Sequence, residues 1–77
     1  MDETLRGIFH DVLGVREADF RDGLSPDDVP NWDSVQHITL MLSIEQAFGV
    51  SIEPEEAARL RSIGAVRELL AQRAPAG

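Results

Sequence analysis

Asp33, Ser34 and His37 bring an acid, a hydroxyl and an imidazole together where an apolar run begins. The composition is that of a serine hydrolase triad. Hydrolysis needs more than composition: the acid must orient the imidazole, and an oxyanion hole must lie beside the nucleophile. Three neighbours at one helix start, in a chain too short for a deep cleft, are poorly placed for that, so we set a small hydrolase aside. What remains is an exposed hydroxyl that opens a helix and can be reached by another enzyme. A phosphate attached there would sit near free backbone N–H groups and the positive helix end. Taken alone, the feature reads first as a helix cap, made by Ser34 or by Asp33.

The other reactive groups add little. His10 and His37 are expected as partly exposed surface residues, and no His, Cys or acid cluster has metal-ligand spacing. The acids of 15–33 suggest calcium, but an EF-hand loop counted from Asp19 puts Arg21 at its third ligand position. The chain has no cysteine, which excludes disulfides and thiolate-ligated metals.

The elements that position Ser34 follow from periodicity. Leu5, Ile8, Phe9, Val12 and Leu13 recur at helical spacing and predict a helix from about Asp2 to Leu13, stopped by Gly14. Residues 15–33 form a long connection with Gly23, Pro26 and Pro30, expected to be pinned by Phe20, Leu24 and Val29; loops of this length are often functional. A second helix is predicted from Asp33 or Ser34 to Phe48. Val35, Ile38, Leu40, Met41, Leu42, Ile44, Ala47 and Phe48 cover more than one stripe of it, which predicts a central helix. Leu40, Ile44 and Phe48 are its expected core anchors. Asp33 is the expected N-cap, with Gln36 reaching back as in a capping box, and Gly49 is the stop. A short helix follows from Pro54 to about Leu60, then a last one capped by Ser62 with Val66, Leu69 and Leu70 inward. Gly64 in its first turn costs about 1 kcal/mol relative to alanine. The fold class is all-α: an antiparallel bundle of three main helices plus one short helix. It makes one domain over residues 1–73, with 74–77 as a disordered tail.

Seventy-seven residues support one small core, and a domain of this size buries only about 60% of its unfolded surface. The formal net charge is -7, and every cationic side chain is an arginine. Such a surface repels phosphate backbones and anionic lipid, so nucleic acid and membrane are unexpected partners. No apolar run reaches the roughly 20 residues of a membrane span. The opening Met1-Asp2-Glu3 has the wrong sign for a secretory leader, so a cytoplasmic monomer is expected.

Asn31-Trp32-Asp33-Ser34-Val35, followed by the apolar helix ending in Phe48-Gly49-Val50, resembles the acyl carrier protein family. The family motif is Asp-Ser-Leu; Val35 replaces its leucine. Glu45-Gln46-Ala47-Phe48-Gly49-Val50 is similar to the family's acidic last turn of that helix. Ile52-Glu53-Pro54-Glu55-Glu56-Ala57 resembles its approach to the short helix, and Ser62-Ile63-Gly64-Ala65-Val66 the start of its last one. The similarity spans roughly Leu5 to Leu70.

The resemblance implies a carrier, not an enzyme. Ser34 maps onto the serine that takes the phosphopantetheine half of coenzyme A, and Asp33 onto the acid before it. The reaction is catalysed by a separate, Mg²⁺-binding phosphopantetheinyl transferase. The covalent 4′-phosphopantetheine would carry an acyl or aminoacyl cargo as a thioester between a loading enzyme and downstream acyl-transfer or condensing enzymes. The expected partner-facing residues are Val35, Gln36, Thr39, Leu42 and Glu45. Family members of fatty acid synthesis carry several acids on this helix; here only Glu45 remains, and Trp32 is similar to discrete carriers of specialised pathways. A type II carrier of natural-product biosynthesis, polyketide or related, is therefore expected. The alternatives are a housekeeping fatty acid or D-alanyl carrier and, from another class, a helical interaction module that has lost the arm.

Overall fold

The computed structural model describes residues 2–73; the tail expected at 74–77 lies outside them. Four α-helices form the bundle: α1 Asp2–Leu13, α2 Ser34–Phe48, α3 Pro54–Arg59 and α4 Ile63–Arg73. No strand occurs among the described residues. The boundaries are chemical. Gly14 and Gly49 end α1 and α2 at φ 71° and 66°, left-handed values that a side chain would strain. Pro54 opens α3, and the Glu56 carboxylate accepts the Glu53 N–H just ahead of it. Ser62 caps α4 by accepting the Ala65 N–H at 3.0 Å.

The core is apolar throughout. Leu5 and Phe9 of α1, Leu40 and Ile44 of α2, and Ile63, Val66 and Leu70 of α4 are fully buried. Phe9 is the largest of the fully buried side chains and meets the rings of Phe20 and Trp32 edge-on, at 5.9 and 5.5 Å between centroids. Phe48, an expected anchor, is only partly buried and packs at the margin. The apolar residues of α2 lie on two faces, and only one of them is covered. Leu40, Met41 and Ile44 point inward, but Val35, Ile38 and Leu42 are 71%, 63% and 52% exposed. So small a bundle has too little chain to wrap a helix on all sides.

The connection between α1 and α2 is a packed structure. A 3₁₀ turn at Glu17–Asp19 begins it. Leu24 and Val29 are buried as expected and Phe20 is partly so; Val15 and Trp32 add to them. Its carbonyls meet the start of α4: the Ile63 N–H donates to Leu24 O at 3.1 Å and the Gly64 N–H to Asp22 O at 2.9 Å.

This contact explains Gly64. A Cβ there would stand 3.0 Å from the Asp22 carbonyl oxygen and 3.1 Å from the Asp22 Cβ. The helix accepts a poor former because the loop lies against it. Gly64→Ala is expected to lower the urea midpoint, although helix propensity alone favours alanine by about 1 kcal/mol. A midpoint above wild type would show that the loop yields without cost.

Candidate functional site: the start of α2

Asp33 is the N-cap of α2, and its carboxylate accepts the Gln36 N–H at 2.9 Å. The expected reciprocal bond from Gln36 is not made. The Asp33 N–H already donates to the Asn31 carbonyl at 2.9 Å, inside the turn that delivers the chain to the helix. With the cap supplied by Asp33, Ser34 is the first helical residue, exposed, and its hydroxyl has no hydrogen-bond partner among the described residues. The N–H groups of Ser34 and Val35 are also without partners among the described residues.

This arrangement fits a phosphodiester on the Ser34 oxygen. The hydroxyl is accessible and uncommitted, and two free N–H groups at a helix start favour the negative charge. The same end of α2 borders an open groove of about 570 Å³ against α3. Trp32, Ser34, His37 and Ile38 line one side, Pro54, Ala57 and Ala58 another. Asp33 and Arg61 are its only charged groups, and Arg61 makes no ion pair among the described residues.

The residues expected to face partners divide. Val35, Thr39 and Leu42 are exposed on α2, and Gln36 is half-buried. Glu45 is engaged inside the protein: its carboxylate accepts the Ile52 N–H at 2.8 Å and fixes the turn after α2. Ile38, absent from the expected partner-facing set, joins Val35 and Leu42 in an exposed apolar row. Their spacing of three and four residues was the available signal. His37, expected as a surface residue, is half-buried and bonded on both ring nitrogens.

The two residues of the motif have separable roles. Asp33→Ala should cost about 0.5–2 kcal/mol, the range for a lost N-cap. Ser34→Ala should cost less than Asp33→Ala, because it removes no internal bond. Chemical denaturation of both proteins checks the order, and the reverse order would make Ser34 the cap.

Comparison with known proteins agrees with this geometry. Residues 3–70 match the family model described as "Phosphopantetheine attachment site". The chain is similar to the acyl carrier protein of Chlamydia muridarum, with 27% identity over 73 residues and 95% of each chain covered. Its fold is similar to the solution structure of holo acyl carrier protein from Geobacter metallireducens. The TM-score is 0.81 at 24% identity, over 92% of this chain and 82% of that one. A helical bundle with an uncommitted serine at the head of its second helix, matched over nearly its whole length, places the chain in the acyl carrier protein family, whose members carry a covalent 4′-phosphopantetheine.

Proposed function

We propose that Ser34 is the attachment point of the arm, that residues 1–73 act as one carrier domain, and that the cargo belongs to natural-product biosynthesis. The observation that carries the first point is the exposed Ser34 hydroxyl with no internal partner, directly after a cap made by another residue. The hydroxyl oxygen would form a bond to the pantetheine-bearing phosphorus of coenzyme A. The phosphoanhydride bond breaks, adenosine 3′,5′-bisphosphate leaves, and the serine proton passes to a base of the transferase. Asp33 holds the first turn of α2, and the free N–H groups of Ser34 and Val35 favour the phosphodiester formed. Once attached, the arm supplies a thiol that holds an acyl or aminoacyl group as a thioester.

The protein performs no turnover in this reading. Its partners are the phosphopantetheinyl transferase, a loading enzyme and the downstream acyl-transfer or condensing enzymes. Support for a specialised pathway comes from the α2 face beside Ser34. Val35, Ile38 and Leu42 are apolar there, and the single acid expected on it, Glu45, is committed to the Ile52 N–H. A fatty acid carrier that meets basic enzymes through acids would present the opposite character.

Incubation with coenzyme A, Mg²⁺ and a broad-specificity transferase should add one arm, seen as a single increase in intact mass. Ser34→Ala should abolish it while remaining folded. A modified Ser34→Ala protein, or a second modified serine, would overturn the assignment.

Docking should follow the apolar row. Val35→Asp, Ile38→Asp or Leu42→Asp should each lower transfer to a cognate enzyme at least about tenfold, as expected for buried interface anchors. The wild-type rate should depend only weakly on ionic strength, because few charges are there to be screened. A steep loss of rate with salt would mean an electrostatic interface.

A further inference from the structure

The Trp32 indole N–H donates to His37 Nδ1 at 2.9 Å, and His37 Nε2 lies 2.7 Å from the Ala57 carbonyl oxygen. An indole N–H can only donate and a carbonyl can only accept. Both bonds exist together in one form of the ring alone: the neutral imidazole with its proton on Nε2. That form donates to Ala57 and accepts from Trp32. The two rings are stacked, with centroids 6.2 Å apart and 24° between planes.

The connection reaches three parts of the site. Trp32 is 4% exposed, sits two residues ahead of Ser34 and packs on Phe9 of α1. His37 lies one helical turn after Ser34, and Ala57 is in the middle of α3. All but Phe9 border the groove beside the Ser34 hydroxyl.

We propose that His37 is a positioning residue for arm attachment, holding the chain that presents Ser34 at a fixed setting against α3. This rests on Ser34 being the attachment point. A second proton on the ring would turn Nδ1 into a donor facing the indole donor, and the Trp32 bond would be lost while the Ala57 bond survives. The charged groups bordering the same groove are Asp33 of α2 and Arg61 beyond α3; α3 itself contributes only Pro54, Ala57 and Ala58 to it.

Three variants separate the bonds. His37→Phe keeps a ring and removes both. His37→Gln offers an amide donor toward Ala57 in place of Nε2. His37→Asn offers an acceptor toward Trp32 in place of Nδ1. Trp32 is the only tryptophan, so its emission and its indole N–H resonance report the contact directly. In the wild type the indole N–H, held by His37 Nδ1, should exchange slowly with solvent. His37→Phe should shift the Trp32 emission and speed that exchange.

In the transferase assay, kcat/KM for arm addition to His37→Phe should fall about three- to tenfold, the worth of roughly one hydrogen bond. His37→Gln and His37→Asn should fall between it and wild type. Intact mass should still show one arm on every variant, which separates failure of this proposal from failure of the Ser34 assignment. If His37→Phe keeps the wild-type emission and slow indole exchange, or if folded His37→Phe and His37→Gln accept the arm at the wild-type rate, His37 does not position the site.

Discussion

The first turn of α4 and the long connection complete each other, and the rest of the bundle depends on it. A helix start leaves backbone N–H groups without intrahelical partners. In α4, Ile63 and Gly64 give theirs to Leu24 and Asp22 of the connection, and Ser62 takes that of Ala65. The connection thereby gains two backbone bonds at its middle, where it has no regular structure of its own. With that middle fixed, Leu24 and Val29 enter the core and Trp32 reaches Phe9. The chain then arrives at Asp33 with a defined direction. Ser34 is thereby positioned through the connection and the start of α4.

Arginine chemistry secures the periphery. Arg67 of α4 lies 3.5 Å from Asp2 of α1 and 3.3 Å from Asp22 of the connection. Arg6 and Arg67 both stand over the Phe20 ring, at 5.3 and 5.8 Å from its centroid. Arg73 pairs with Glu56 and donates to the Ser51 carbonyl, joining the end of α4 to α3 and the turn before it. Exposed pairs of this kind are worth only about 0–1 kcal/mol each. Their planar, multi-donor groups serve to hold orientation between elements already joined by the core.

Much of this was legible in the sequence, and the exceptions have physical causes. Helix limits could be read because glycine, proline, serine and aspartate at the ends have local conformational reasons to be there. The burial of Leu5, Phe9, Leu40 and Ile44 followed from spacing. Ile38 could not be placed the same way, because α2 carries apolar residues on two faces and periodicity does not say which one a neighbour covers. Gly64 read as a cost until its close approach to Asp22 was visible, a contact across more than half the chain. His37 depended on Ala57, twenty positions further on. The capping box failed for a smaller reason: Asp33 had a nearer carbonyl at Asn31. The proposal of Asp33-Ser34 as the site rests on family resemblance, since a serine at a helix start has a common local explanation.

The exposed row of Val35, Ile38 and Leu42 lies on a molecule with a formal charge of -7. A sticky stripe is tolerable on a protein of this charge, because like-charged copies repel before their stripes meet. The sequence pI is about 4.5. As carboxylates are neutralised toward that point, the repulsion fades while the stripe remains, so colloidal behaviour should be poorest in mild acid. Near neutrality the same repulsion keeps a second copy of the chain away from the stripe.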